Sequence, residues 1–234
     1  MIGRTPCRDI RLPQVRLVDR PYLNAKQLTR LASALGPDQA PMMWLGAVLG
    51  LRWAEAAGLT VSGFDRKRNE VTVEHQLGRD GELVPPKSAA SRRTKACPKW
   101  LADDLAALIN RRRRSDTGPN ALLFVTGDNR PLDYTNWRRR VWLPAREKAG
   151  LPDLLFHDLR SMAATALVAA GVDVKTAQTR LGHSSPQVTL GLYARATAEG
   201  DRKAARAGGE IFRPRDRRAM KIKDEAGTET RNTV

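Results

Sequence analysis

Residues 156–195 read FHDLRSMAATALVAAGVDVKTAQTRLGHSSPQVTLGLYAR, and this stretch decides how the rest of the chain is interpreted. It places two of the chain's three histidines, His157 and His183, close to one of its three tyrosines, Tyr193, among several arginines. Its apolar residues recur at helical spacing, and glycines stand where helices would end. The stretch therefore predicts two helices followed by a segment that carries His183 and Tyr193.

The charge of the whole chain indicates a polyanionic partner. Among 234 residues there are 41 Lys and Arg but only 25 Asp and Glu, which gives a net charge of +16. An excess of this size attracts nucleic acid. There is no run of eighteen apolar residues and no secretory signal, and the two cysteines are too few for a disulfide framework. We therefore expect a cytoplasmic, nucleoid-associated protein with no membrane partner.

Several reaction classes are disfavoured by what the sequence lacks. It contains no glycine-rich loop of the type that cradles nucleotide phosphates. The three histidines are scattered, and neither a CxxC nor an HExxH pattern accompanies them, so no metal site is predicted. We expect a protein that works without a cofactor.

The hydrophobic pattern predicts an α+β fold that is mainly α-helical, with a small three-stranded antiparallel sheet. An N-cap at Asn24 opens the first helix, which ends at Gly36. A helix that is apolar nearly all round follows and breaks near Gly50. The predicted strands are EVTVEHQL, ELVPPK and RRTKACP. A later helical pattern covers Trp100–Ile109, and the basic run Arg111–Arg114 marks its C-terminal end. Another covers DYTNWRRRVWLPAREKAG, and Pro144 predicts a kink in it.

Two arginines stand out as candidates for phosphate binding. Arg160 lies three residues after His157, so both side chains project from one helical face. A guanidinium matches two oxygens of one phosphate, although Arg160 taken alone is more simply explained as capping the helix through an ion pair with Asp158 or Glu55. Arg52 lies inside an apolar stretch, where a buried charge needs compensation by Glu55, by a bound phosphate or by both.

Tyr193 has a structural and a chemical interpretation. A packed aromatic residue at the end of a helical segment is the structural one. A phenol with a pKa near 10 is only about 0.1% ionised at pH 7, so it attacks phosphorus well only when cations or a base stabilise the phenolate. The neighbouring arginines and histidines are candidates for that role.

Together these motifs resemble those of the tyrosine recombinases, the phage-type integrases. The segments LGLRWAEAAGLTVSGFD, PPKSAASRRT and residues 156–195 follow the order and spacing of that family from about Leu23 to Ala198. Family members commonly read HDLRHT, whereas Ser161 and Met162 follow Arg160 here. The resemblance implies the DNA breaking-rejoining catalytic-domain fold.

The resemblance also implies a role for each matching residue. Tyr193 corresponds to the nucleophile, and Arg52 and Arg160 correspond to the arginines that bind the scissile phosphate. The remaining matches are Glu55 supporting Arg52, Lys87 protonating the departing 5′ oxygen, His157 assisting proton transfer and His183 bonding the phosphate.

The lysine assignment remains open, because Lys95 competes with Lys87. Lys87 is favoured since it precedes a short turn between two predicted strands. Further basic residues are expected to contact DNA: Arg92, Arg93, Lys95, Arg138, Arg139 and Arg140.

The resemblance implies three regions and a set of partners. Residues 1–22 would form an arm or linker, 23–200 the catalytic domain and 201–234 a basic, mobile tail, and the N-terminal core-binding domain common in the family is expected to be absent. Expected partners are double-stranded DNA, further copies of the chain in a tetramer on DNA, and accessory DNA-bending proteins. Two alternatives remain: a DNA-binding remnant without catalysis, and a type IB topoisomerase that relaxes supercoils.

Overall fold

The structure, a computed structural model, describes residues 23–86, 92–112 and 118–182. Its α-helices are Ala25–Leu35 (α1), Ala40–Leu49 (α2), Trp53–Ala57 (α3), Lys99–Arg112 (α4), Tyr134–Trp137 (α5), Leu143–Lys148 (α6), Phe156–Ala169 (α7) and Val174–Leu181 (α8). Its strands are Phe64–Asp65 (β1), Glu70–Val73 (β2), Gln76–Leu77 (β3), Leu83–Val84 (β4) and Arg93–Ala96 (β5). The prediction of a mainly α-helical α+β fold with a small antiparallel sheet is confirmed.

Helix ends follow local sequence signals closely. The Asn24 side chain accepts a hydrogen bond from the Gln27 N–H at 3.0 Å, and the Gln27 side chain accepts one from the Asn24 N–H at 2.9 Å. Such reciprocal bonds satisfy donors that a helix start leaves open. Gly50 and Gly182 follow α2 and α8 in the left-handed conformation, with φ of 65° at each. The predicted start of α1 and the breaks at both glycines are confirmed.

The strand predictions were only partly right. Residues Glu70–Val73 and Gln76–Leu77 of the predicted single strand are separate strands, β2 and β3, and β3 pairs with β4 in a two-stranded sheet of its own. The three-stranded sheet has the order β1-β2-β5, and all its pairs are antiparallel. Strand β1 was missed because two residues are too few to show an alternating pattern.

The core is built around α2, as its apolar sequence predicts. Met42, Met43 and Leu45 are completely buried. Helix α2 lies close to α7, and an added Cβ at Gly46 would come within 3.1 Å of the Phe156 ring. Each buried apolar side chain contributes roughly 1.5–3 kcal/mol. This packing fixes the position of the C-terminal end of α2 relative to the first turn of α7.

The kink predicted at Pro144 takes a different form. A π-helical segment, Arg138–Trp142, joins α5 to α6, and the Leu143 N–H donates to the Arg138 carbonyl five residues earlier. Pro144 has no N–H for the ordinary helical bond, so the irregularity falls on the turn before it. The Trp137 and Trp142 rings stack with centroids 5.7 Å apart. No helix in the three described ranges is long and apolar enough to cross a bilayer.

Candidate active site

The candidate site is organised by the C-terminal end of α2. The Lys95 amino group donates a hydrogen bond to the Leu49 carbonyl, and Arg160 Nη1 donates one to the Gly50 carbonyl at 2.5 Å. Carbonyl groups at the end of a helix carry partial negative charge and favour cations. Gly50 is required there, because its φ is positive and an added Cβ would lie 2.7 Å from Leu181 Cδ2. Two consecutive carbonyl groups thus hold two basic side chains.

Arg52 and Glu55 form the next part of the site. Arg52 directly precedes α3 and is its N-terminal cap residue, and Glu55 lies in the first turn of that helix. Glu55 Oε2 accepts from the Arg52 N–H at 2.9 Å, and Oε1 accepts from Arg52 Nη1 at 2.7 Å. The Glu55 side chain is 2% exposed, whereas that of Arg52 is 41% exposed. A buried carboxylate therefore holds a guanidinium that solvent, or a ligand, can reach.

Arg93 is the second partner of Glu55. Its Nη2 lies 2.8 Å from Oε2 and its Nη1 lies 3.2 Å from Oε1. Burial raises the pKa of Glu55, but the hydrogen bond and charge of Arg93, followed by those of Arg52, outweigh it and bring the pKa to about 2. Glu55 is therefore ionised throughout the neutral range.

Arg160 is buried yet incompletely hydrogen-bonded. Its residue is 3% exposed, and among the described residues its Nη2 has no hydrogen-bond partner. Burial, then the charges of Arg52 and Arg93 against the opposing effect of Glu55, lower its pKa to about 10, so it stays protonated at pH 7. A buried donor without a partner costs about 1–3 kcal/mol. An oxygen ligand bound there would remove that cost.

Asp158 and His157 occupy the first turn of α7 with Arg160. The Asp158 carboxylate accepts a hydrogen bond from the Leu155 N–H at 2.9 Å and so caps the helix, which is a structural role for that residue. His157 is exposed at the surface of the same turn. Arg160 lies close enough to Arg52 and Glu55 for their charges to act on it, and His157 lies on the same helical turn as Arg160.

Lys95 differs from the other basic residues in being almost completely buried, with 2% exposure. Burial, then the charges of Arg93 and Arg160 against the opposing charge of Glu55, lower its pKa to about 6. At pH 7 most of the population is therefore neutral. The DNA contacts expected of Lys95 and Arg93 do not fit these positions, because neither side chain lies on the open surface.

Replacing Lys95 with methionine is expected to raise the free energy of unfolding at pH 7 by roughly 3 kcal/mol. The unfolded lysine keeps a pKa of about 10.4, so folding near neutral pH must remove its proton. This lowered pKa makes the wild-type protein gain stability as the pH rises from about 6 to about 10. Methionine abolishes that slope, while the lost bond to Leu49 subtracts about 1 kcal/mol.

Urea unfolding at several pH values between 6 and 9 measures this effect. Lys99→Met is the matched control, because Lys99 is exposed and pairs with Asp103 at 2.9 Å on the surface. Its effect should stay within about 0.5 kcal/mol. A Lys95→Met variant that is less stable than the wild type at every pH would show that the buried lysine stabilises the fold.

The other residues expected to contact DNA lie at or near the surface. Arg92, Arg139 and Arg140 are exposed, and Arg138 is half-buried. The last three belong to the π-helical segment. Their contact with DNA stays a prediction.

Three expected site residues, Lys87, His183 and Tyr193, lie outside the described residues, as do the N-terminal arm and the tail from residue 201. The choice between Lys87 and Lys95 as the catalytic lysine therefore stays a prediction. The chain just before His183 is described, however. An added Cβ at Gly182 would lie 3.0 Å from Arg93 Cζ, so residue 183 follows directly from backbone that contacts the arginine cluster.

Sequence reasoning missed the pairing of Arg93 with Glu55. The signal was present, since Arg93 and Lys95 alternate with the exposed Thr94 and Ala96 along β5, as side chains on one face of a strand do. No group of His, Cys, Asp or Glu suited to a metal ion occurs in the described part of the chain. The cluster therefore consists of basic side chains arranged around one buried carboxylate, that of Glu55.

Comparison with known proteins identifies the family. Residues 21–199 match the sequence profile of the phage integrase family, and the chain belongs to that family. It is 27% identical over 217 residues to the integrase of Mycobacterium phage FRAT1, covering 90% of this chain and 64% of the integrase. It is 30% identical over 187 residues to the tyrosine recombinase XerA of Thermococcus kodakarensis, covering 78% of this chain and 60% of XerA. The chain thus spans less than two thirds of the length of these relatives.

Solved structures show the same fold. The Tn1549 transposon integrase in complex with transposon right end DNA aligns with a TM-score of 0.71 at 22% identity, covering 87% of this chain and 69% of that one. The crystal structure of XerA recombinase aligns with a TM-score of 0.64 at 23% identity, covering 87% of this chain and 68% of that one. The predicted tyrosine recombinase catalytic-domain fold is confirmed.

Proposed function

We propose that this chain is a site-specific DNA recombinase that cuts and rejoins double-stranded DNA through a covalent 3′-phosphotyrosine intermediate. The observation that carries the proposal is the cationic cluster: the guanidinium groups of Arg52 and Arg93 share the Glu55 carboxylate, and Arg160 lies close enough to feel the charges of all three. Arg52 is accessible, and Arg160 Nη2 has no hydrogen-bond partner among the described residues. A phosphodiester has the charge and the oxygen acceptors that such a cluster lacks.

In the proposed reaction the Tyr193 oxygen forms a bond to the phosphorus while the bond from phosphorus to the 5′ oxygen breaks. The phenol loses a proton, with His157 assisting the transfer, and Lys87 gives a proton to the departing 5′ oxygen. Arg52, Arg160 and His183 bond the non-bridging oxygens, where negative charge grows in the transition state. One well-placed donor of this kind contributes about 3–4 kcal/mol.

Rejoining is the reverse step on a new strand. A 5′ hydroxyl from a partner duplex attacks the phosphotyrosine, the DNA phosphodiester forms again and Tyr193 is released. The covalent link keeps the energy of the cleaved bond, so neither a nucleotide nor a metal has to be consumed. We propose further that copies of the chain assemble as a tetramer on DNA in the nucleoid, with DNA-bending proteins as accessory partners.

The relatives support this proposal over its two alternatives. The phage relative is named an integrase, XerA is named a tyrosine recombinase, and the solved Tn1549 integrase is bound to DNA. A DNA-binding remnant would share the basic charge but would have no reason to keep an assembled pair of arginines around Glu55. A type IB topoisomerase would form the same covalent link but relax supercoils without exchanging strands.

The test begins with selection of DNA duplexes that the wild-type chain binds, from a randomised pool. Selected duplexes are then nicked near the bound centre, so that a cleaved strand diffuses away and the covalent complex accumulates. We expect a complex that survives denaturing gels, disappears on protease treatment and yields a Tyr193 peptide bearing phosphate. Tight binding to the selected duplexes without any such complex would establish the remnant, and plasmid relaxation without strand exchange would establish the topoisomerase.

A further inference from the structure

Arg93 makes an unusually complete contact with the carboxylate beneath Arg52. Each Glu55 oxygen accepts one bond from Arg52 and one from Arg93: Oε1 at 2.7 and 3.2 Å, and Oε2 at 2.9 and 2.8 Å. The Arg93 side chain is only 6% exposed. Half of the hydrogen bonds that orient Glu55 therefore come from a side chain that is withdrawn from solvent.

The sheet holds Arg93 in this place. Strand β5 pairs with β2 in the register Val73 to Arg93 and Val71 to Lys95. Both valines are buried, with 1% exposure or less. A slip of one residue would turn these valines outward, so the register is strongly fixed. Strand β5 therefore holds the Arg93 guanidinium next to the start of α3.

Besides its contact with Glu55, Arg93 contacts the end of α8. An added Cβ at Gly182 would lie 3.0 Å from both Cζ and Nη1 of Arg93, and the φ of Gly182 is 65°. Arg180 makes a second link between the same elements, because its Nη2 donates to the Ala96 carbonyl of β5 at 3.1 Å. The backbone that leads into residue 183 thus lies against the Arg93 guanidinium.

We propose that Arg93 is a positioning residue, which orients Arg52 through Glu55 and supports the chain at Gly182 that leads to His183 and Tyr193. The inference rests on the proposed function and assigns Arg93 a role other than DNA contact. Arginine is needed because its planar fork reaches both carboxylate oxygens, whereas a lysine ammonium acts as a point charge.

The test compares Arg93→Met, Arg93→Lys and the wild type in single-turnover formation of the covalent complex at saturating nicked DNA. We expect Arg93→Met to slow the reaction by roughly 10- to 100-fold, the range typical of groups that orient a functional side chain. The DNA concentration for half-saturation should change little. Arg93→Lys should fall between the two. Arg66→Met is the matched control, because Arg66 pairs with Asp103 on the surface away from the cluster.

A pH profile separates positioning from simple destabilisation. In the wild type Glu55 has a pKa of about 2, and the Arg93 bond leads the effects that lower it. Without Arg93, burial still raises this pKa, so the ratio of the variant rate to the wild-type rate should fall as the pH falls toward 5. The charges around Glu55 are those of Arg52, Arg93, Lys95 and Arg160. Repeating the comparison with Lys95→Met in both proteins removes the titration of that lysine.

Gly182→Ala tests the contact between Arg93 and the end of α8. This variant replaces Arg93→Met in the experiment if Arg93→Met does not fold. Its methyl group must displace the Arg93 guanidinium, so we expect the reaction to slow at unchanged half-saturation. Arg93→Met that reacts at the wild-type rate with a parallel pH profile would overturn the inference. A variant that only weakens DNA binding would make Arg93 a DNA contact. If the wild-type chain forms no covalent complex, that result contradicts the proposed function itself.

Discussion

Replacing Tyr193 with phenylalanine is expected to abolish the covalent complex with nicked DNA, to less than about one thousandth of the wild-type amount. Phenylalanine keeps the ring but lacks the oxygen that, in the proposed reaction, forms the bond to phosphorus. DNA affinity should change by less than about twofold, because most of the binding energy comes from basic side chains that meet phosphates. Denaturing gels measure the complex, and gel shifts at fixed salt measure affinity.

Tyr134→Phe is the control for this experiment. Tyr134 is 47% exposed at the start of α5, and its ring meets that of Trp53 edge to face at 5.0 Å. We expect this variant to form the covalent complex at the wild-type rate. A complex that survives Tyr193→Phe and maps to Tyr134 or to Tyr22 would move the nucleophile and contradict the assignment.

Arg160→Ala is expected to lower the rate of cleavage by about 10²- to 10³-fold, the usual effect of removing one donor to a transition-state oxygen. The physical reason is its buried Nη2, which has no hydrogen-bond partner among the described residues, while its Nη1 donates to the Gly50 carbonyl. Arg160→Lys keeps the charge but not the two-pronged geometry, so we expect it to recover only part of the rate. Single-turnover cleavage of nicked DNA measures both variants.

Stability has to be followed in parallel, because Arg160 also bonds the end of α2. Loss of the donor to the Gly50 carbonyl should reduce the free energy of unfolding by about 1–3 kcal/mol. Arg111→Ala is the control, since Arg111 pairs with Asp38 at 3.0 Å on the surface and should change neither quantity appreciably. Wild-type cleavage by folded Arg160→Ala would show that this guanidinium does not act on the scissile phosphate.

The helices could be predicted because their ends are encoded locally. The side chain of Asn24 is enough to start α1, and Gly50 and Gly182 adopt backbone angles that other residues avoid. Strand β1 and the division between β2 and β3 could not be predicted, since they depend on which segments meet across the sheet. The π-helical turn before Pro144 shows a similar limit. The sequence indicates that a helical bond is lost but not where the irregularity falls.

The candidate site, like the fold, could be predicted only in part. The resemblance picks out Arg52, Glu55 and Arg160, and the structure brings these three together. It does not predict that Arg93 and Lys95 turn inward, because burial of a charged side chain depends on partners distant in sequence. For Arg93 the partner is 38 residues away, and for Lys95 it is the Leu49 carbonyl, 46 residues away.

The two carbonyl groups at the end of α2 couple the candidate site to the hydrophobic interior, since Lys95 and Arg160 are both fixed by them. Directed evolution of the proposed recombinase toward a new DNA target should therefore leave α2 and β5 unchanged. Randomised libraries are better placed at Arg139 and Arg140, whose exposed side chains can vary while the buried scaffold stays as it is.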